Sequence, residues 1–575
     1  MIELKKLSVA LLLFVCICAS SAKNTLVSTA SQINGGTWSA GDTIVMKNGS
    51  WINQSIALKA NGTVSSPIVL TAQTPGQVML SGTSKLAFSG SYLVVSGLFF
   101  KDGTLSGSEV ISFRTSSSEF ANNCRVTNTA IVNCNPADAT VDSKWVSLYG
   151  EANQVDHCSF ENKTNSGTLL VVWLKSGIEP KHVISENYFG YRNPNLDPTG
   201  SAINGQEIMR IGDSSTSMQT AGVTVSGNFF EKCNGEGEII SSKSCGNLYF
   251  NNLFLECEGA LTLRHGNNCT VECNYFFGNG LSNTGGVRII GENHKVFNNY
   301  FEKLRGTGYR AALCVVRGKE NSLLNEYFQV KNALVAFNTM VDCSQAFLIN
   351  YNSSTTCTMP PIGTIVAHNQ VFNTNASNTN IVLAQSDAAM DVTWKNNLMN
   401  QGQYTNFTYT TTQVVTGQNP MMTLSGTSRT MYEPSLGSAL SNFRTSDLSE
   451  VVTDIRGRSR NASTKLPGAS EIIGVPTLAM PIKTTVGASF FNNPPNSIPS
   501  PSKKNGFYAY LEQNQLIATV SMPGRFSIFD STGKRMLQKD LTEGTCTIST
   551  TKKGLFFLRF ETMNHDCMIQ KILVQ

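Results

Sequence analysis

The sequence predicts an all-β protein: a right-handed parallel β-helix (a solenoid) followed by a small C-terminal antiparallel β-sandwich domain. Three observations carry this expectation. Only 14% of the 575 residues are charged, against roughly 25% in an ordinary soluble protein. The polar surface is instead built from 54 Asn, 47 Gly and many Ser and Thr, residues that favour turns over helix interiors. A pattern of Asn followed by an aromatic or aliphatic pair recurs at Asn187, Asn228, Asn252, Asn274, Asn299, Asn338 and Asn397, with central intervals of 24, 22 and 25 residues. Beyond a proline cluster the pattern gives way to short alternating strands.

Taken in chain order, residues 1–22 combine Lys5-Lys6, a short apolar run and small residues ending at Ala22. This is the make-up of a secretory signal peptide and is too short for a membrane span. Export to the periplasm or beyond is therefore expected, as is the absence of a spanning segment elsewhere. Residues 23–480 form the expected solenoid. Short β-branched runs such as Gly222-Val-Thr-Val-Ser and Val287-Arg-Ile-Ile lie between Gly and Asn turns, and a period near 24 residues suits one three-strand coil. Stacked coils sit about 4.8 Å apart, so the recurring Asn should form an amide ladder and the recurring Phe a core column. A leucine-rich horseshoe has a similar period but would need a Leu-x-x-Leu-x-Leu repeat. Pro494, Pro495, Pro499 and Pro501 mark a linker over 481–504.

From 505 to 575 the sequence reads as a β-sandwich, with Asp530-Ser-Thr-Gly533 as a turn. Its "kGlyffl" strand and Lys-rich last strand resemble the sorting domains of type IX secretion substrates. Thirteen cysteines follow the signal segment. Their spacing does not suit zinc pairs, leaving disulfides or repeated interior positions. A formal net charge of +5 is too mild for a nucleic-acid binder, but it leaves room for an anionic partner held locally.

Charge is scarce enough for its few clusters to stand out. In Gly235-Glu-Gly-Glu-Ile-Ile-Ser-Ser-Lys243, Glu236 and Glu238 are two apart, which on a strand places both carboxylates on one face. Such a pair needs a cation, a shared proton or Arg partners, unless it is simply solvated; hard oxygen ligands suit Ca2+. Lys243, Arg264, Arg288 and Arg310 follow at steps of 21, 24 and 22 residues. Stacked at near-coil spacing, they would repel one another unless an extended polyanion neutralised them; accidental spacing of surface cations is the alternative. His265, beside Arg264, reads equally as a proton carrier or a polar neighbour.

Gly237-Glu-Ile-Ile-Ser-Ser-Lys-Ser-Cys-Gly-Asn247, Leu261-Thr-Leu-Arg-His-Gly-Asn267 and Gly285-Gly-Val-Arg-Ile-Ile-Gly-Glu-Asn-His294 together resemble polysaccharide lyase family 6, which holds alginate lyases and chondroitinase B. Pro67-Ile-Val-Leu-Thr-Ala-Gln-Thr-Pro-Gly76 and Asp454-Ile-Arg-Gly457 extend the similarity to roughly 24–475, and the Gly-Gly-Val-Arg string is closer to the alginate-lyase branch. The resemblance implies Lys243 as Brønsted base and Arg264 as acid or leaving-group stabiliser. It also implies Asn204, Glu236 and Glu238 as Ca2+ ligands, with His265, Arg288 and Arg310 contacting an acidic polysaccharide. Because Arg is a poor proton donor, Arg264 is expected to act mainly by charge. A dermatan-type substrate, a β-helix hydrolase using paired carboxylic acids and a non-catalytic polysaccharide-binding solenoid are the other readings.

Overall fold

The computed structural model describes residues 22–105, 109–375, 381–385, 390–405, 408–426 and 429–492. Within the C-terminal part it describes 507–512, 515–520, 523–530, 534–542, 544–549, 554–563 and 567–574. Residues 1–21 of the expected signal segment and 493–504 of the expected linker lie outside the described residues. No described helix is long and apolar enough to cross a membrane.

Three sheets of fourteen strands run the length of the solenoid. The first sheet extends from Asn24–Val27 to Val392–Lys395, the second from Ser55–Asn61 to Gln403–Thr405 and the third from Gly49–Ile52 to Val414–Thr416. Within each sheet successive coils pair in parallel, as in Val225↔Tyr249 and Tyr249↔Val271. The all-β class and the parallel β-helix are therefore as expected.

The repeat shows why the chain closes on itself. Where it turns from the first sheet to the third, Asn187, Asn228, Asn252, Asn274, Asn299, Asn338, Asn369 and Asn397 stack in one buried ladder. Asn187 Oδ1 accepts the Cys158 N–H, and from Asn228 onward each Oδ1 accepts the backbone N–H and the Nδ2–H of the Asn one coil earlier, as Asn274 Oδ1 does from Asn252 at 2.9 Å for both. Asn369 completes the ladder, although its His-Asn-Gln-Val-Phe context lacks the apolar pair that reveals the others. The residue before each ladder Asn takes a left-handed φ: 53° at Asn251, 58° at Cys273 and 55° at Asn298. That conformation favours Asn and Gly, which explains the many Asn. Inside, Phe160, Phe189, Phe230, Phe254, Phe276 and Phe301 form the expected column, with successive centroids 4.6–5.1 Å apart.

Regular coils end earlier than the sequence suggests. After Val414–Thr416 the chain forms a two-stranded antiparallel ribbon, Met422–Ser425 with Met431–Pro434. It then runs back across the solenoid, where Tyr275 Oη donates to Ile455 O and Asn298 Nδ2 to Thr453 O. Residues 481–488 belong to this compact unit rather than to a free linker. Lys483 Nζ reaches Tyr188 Oη at 2.8 Å and Glu231 at 2.9 Å, and the Ala488 N–H reaches Ser159 Oγ. The eleven cysteines from Cys124 to Cys357 are buried free thiols, so among them repeated interior positions prevail over disulfides.

The second unit, 489–575, contains a three-stranded and a four-stranded antiparallel sheet. Their shared core includes Ala518, Val520, Phe526, Ile528 and Leu558.

Candidate functional site

Five of the expected site residues fall on three successive strands of the second sheet: Glu238 and Lys243 on Glu238–Lys243, Arg264 and His265 on Gly259–His265, and Arg288 on Thr284–Ile289. They do not form a straight column. Ser242 pairs with Leu263 but Lys243 pairs with His265, so Arg264 is the extra residue of a β-bulge. Arg288 lies in a different row, opposite Thr262 and Cys314, and Arg310 ends the short helical turn Gly308–Arg310. Bulges re-aim side chains; this one swings Arg264 out of the ladder so that its Nε lies 3.8 Å from Glu238 Oε1, while Arg288 Nη1 approaches the same oxygen to 3.5 Å.

Glu236 precedes the strand and Glu238 begins it. A bend, not strand alternation, therefore brings the two carboxylates together. A third joins them: one oxygen each from Glu207, Glu236 and Glu238 lies within 4.8 Å of the others. The Glu207 backbone is held from beneath by buried Arg192, whose Nη1 donates to Glu207 O at 2.9 Å, and Thr168 Oγ1 donates to Glu207 Oε2 at 2.7 Å. Glu236 Oε2 accepts the N–H groups of Gly205 and Gln206 at 2.8 and 3.2 Å. Burial, then the negative charges of Glu207 and Glu238, push the Glu236 carboxyl up to about 8. So crowded an acidic cluster is relieved by a proton or by a cation. Asn204 sits in the exposed loop just ahead of the two N–H donors.

Lys243 stands at the edge of this cluster, its Nζ 3.8 Å from Glu207 Oε1 and its side chain 18% exposed. Arg264 donates through Nη1 to Glu326 O at 2.8 Å and lies 4.3 Å over the Tyr327 ring. Arg288 Nη2 meets Tyr327 Oη at 3.2 Å, and Arg310 lies 4.6 Å over Tyr309. Gly237, between the two glutamates, leaves room for Tyr309: a Cβ there would lie 2.8 Å from the Tyr309 hydroxyl oxygen. His265 is buried, with Nδ1 3.3 Å from Arg264 and Nε2 3.4 Å from Ser214 Oγ. Burial, followed by Arg264 and Lys243, pushes it down to about 3, so it is a neutral support under Arg264 rather than a cation.

Lys243, Arg264, Arg288, Glu236 and Glu238 thus converge, Arg310 flanks them and Asn204 borders them. Sequence reasoning missed Glu207, Tyr309 and Tyr327. The signal for Glu207 was present in Asn204-Gly-Gln-Glu-Ile-Met-Arg210, where the carboxylate lies on the coil before the Glu pair. The two tyrosines come from loops that follow later strands and leave no periodic trace.

The fold and site define a parallel β-helix that gathers three carboxylates, a lysine and several arginines on one sheet face. The chondroitinase B family model matches residues 27–444, and the chain belongs to that family, polysaccharide lyase family 6. Among solved structures, the family 6 alginate lyase AlyGC is 35% identical with a TM-score of 0.66, over 72% of this chain and 55% of that one. This chain therefore spans little more than half the length of AlyGC. A mannuronic acid-specific family 6 lyase from human gut microbiota is 30% identical over 66% of this chain and 86% of its own, with a TM-score of 0.57. A family 6 polysaccharide lyase from Pseudopedobacter saltans is 27% identical over 68% and 97%, also at 0.57. No curated protein matches the chain.

Proposed function

We propose that the chain is an alginate lyase that cleaves the 4-O-glycosidic bond of a uronate by β-elimination, assisted by Ca2+. The observation that carries this reading is the placement of Lys243 beside a three-carboxylate cluster and opposite Arg264 and Arg288. Two relatives at 30% identity or more, AlyGC and the mannuronic acid-specific enzyme, are alginate-type lyases, which favours alginate over dermatan.

The residues fit a hard divalent cation. Glu207, Glu236 and Glu238 offer oxygen donors within 4.8 Å of one another, Asn204 adds an amide oxygen on the bordering loop, and the raised Glu236 carboxyl marks surplus negative charge. When bound, the cation supplies Lewis-acid stabilisation at the substrate carboxylate. Arg288 and Arg310 orient the acidic polymer by charge. Lys243 takes the C5 proton. The C5–H electron pair becomes the C4=C5 double bond as the C4–O bond breaks, and the departing oxygen keeps that bond's electrons. Arg264, fixed by Glu326 O and Tyr327, stabilises this oxygen, and water or protonated Lys243 returns a proton to it.

Digestion of poly-mannuronate, poly-guluronate and dermatan sulfate, with and without EDTA, tests the proposal. Expected is new ultraviolet absorbance from unsaturated uronate on alginate, lost in Lys243→Ala, suppressed by EDTA and restored by Ca2+. Saturated products, or binding with no new absorbance, would overturn it; turnover of dermatan alone would move the substrate to the glycosaminoglycan.

A further inference from the structure

The face of the second sheet that carries the site continues towards the N-terminal coils as a second built surface. Val172 pairs with Ile211 and Ile211 with Ser242, so Trp173, Gly212 and Lys243 occupy equivalent positions on successive coils. Trp173 therefore lies two coils from Lys243, about 10 Å at one strand spacing per coil. Gly212, at φ 81°, has no room for a Cβ, which would lie 2.6 Å from Lys243 O, so no side chain stands between the two.

From Trp173 the rings continue outward. Trp173 and Tyr149 stack at 6.2 Å with 9° between planes, and Tyr149 and Phe120 at 6.2 Å with 18°. Each ring carries a cation: Arg210 lies 5.2 Å over Trp173, Arg114 3.9 Å over Tyr149 and Lys175 Nζ 4.9 Å over Phe120. The Arg210 Nε is buried and has no hydrogen-bond partner among the described residues. Beside the rings lies a depression of about 470 Å³ lined by Glu109, Arg114, Asp142, Lys144, Tyr149 and Trp173. Glu109 accepts from Tyr149 Oη and Asp142 pairs with Lys144. Arg114, Lys144, Lys175 and Arg210 thus outnumber Glu109 and Asp142, in a chain where charges are rare.

Resting on the alginate-lyase reading, we infer that Phe120, Tyr149 and Trp173, with Arg114, Lys175 and Arg210, form a distal platform that holds the acidic polysaccharide several sugars from the scissile bond. Apolar pyranose faces lie against the half-buried Phe120 and Trp173, with buried Tyr149 stacked between them, uronate carboxylates meet the cations, and the solenoid axis aligns the polymer with Lys243. The platform serves chain-length selection: long polymers use it and the shortest substrates do not reach it.

Trp173→Ala tests this, because Trp173 is half-buried on an outer face and its loss leaves the core Phe column intact. On long poly-uronate the KM should rise about tenfold with kcat unchanged, whereas kcat/KM on the shortest oligosaccharide cleaved should stay within about twofold. Trp173→Phe should recover most of the loss. An equal loss on both substrates, or no loss on either, overturns the inference. A second measurement separates it from the reading on which it rests. Inactive Lys243→Ala is titrated with uronate oligosaccharides of increasing length, with and without Trp173→Phe, and tryptophan fluorescence is followed. Quenching and affinity that grow with length through Trp173, in a protein whose wild type releases no unsaturated product, keep the platform and sink the lyase. Turnover with no dependence on length does the reverse, and loss of both sinks both.

Discussion

Asn252→Leu isolates the amide ladder while roughly preserving side-chain volume. The Asn252 Oδ1 accepts from Asn228 N at 3.1 Å and Asn228 Nδ2 at 3.0 Å, and its Nδ2 donates to Val225 O at 2.8 Å and Asn274 Oδ1 at 2.9 Å. Leucine removes all four bonds. The Asn228 amide group keeps Ile184 O and Ser226 O, so it is not stranded. The Asn228 backbone N–H is, and an orphaned buried donor costs about 1–3 kcal/mol. The three other bonds are worth about 0.5–1.5 kcal/mol each in net terms, and added apolar burial returns part of the sum. A destabilisation of about 4 kcal/mol is expected, read from urea unfolding followed by far-ultraviolet circular dichroism. Because Asn252 turns the chain between the first and third sheets, kcat/KM of the folded variant should match wild type. A loss under about 1 kcal/mol would refute the idea that the ladder stabilises the coils, and an activity loss at unchanged stability would refute its separation from the site.

Two further outcomes follow from named groups. His294 is buried, its Nδ1 accepting the Cys269 N–H at 3.1 Å and its Nε2 lying 2.9 Å from Ile290 O, and burial pushes it down to about 4. The unfolded chain, with His near 6.5, binds the proton first as pH falls, so this histidine's contribution to stability declines below about pH 6.5. At pH 5 the loss is about 2 kcal/mol. Asn247 accepts Val223 N–H in the same way two coils earlier, so His294→Asn should keep the bond and reduce the pH 7 to pH 5 stability difference by about 2 kcal/mol in urea titrations; an unchanged difference would contradict this. At Arg264, Lys should keep a measurable kcat and Ala should lose about 10²–10³-fold, the scale of one lost oxyanion donor; equal losses would argue against charge stabilisation.

Local chemistry made much of the fold legible. The left-handed residue at each turn and the Asn that follows are set within one or two positions, so they recur in the sequence at the coil period, as do the Phe of the core. The β-helix, the Asn ladder and the placing of Lys243, Arg264 and Arg288 on one face of the solenoid could therefore be read directly. Asn369 was hidden because its neighbours break the apolar pair while its amide still stacks.

What the sequence determined by itself was the repeat: which residues turn, which stack inward and which few charges share a face. Only the tertiary structure decided how those charges meet. A bulge takes Arg264 out of line, a bend unites Glu236 with Glu238, and a neighbouring coil supplies Glu207. Loops 21 and 39 residues downstream of Arg288 lay Tyr309 and Tyr327 against it. The return path of 420–488 across the solenoid was equally hidden, because its contacts join residues as far apart as Tyr275 and Ile455. Period records contacts between equivalent positions one coil apart; it carries no information about a bulged register or a loop that folds back, whose partners are chosen by packing in space.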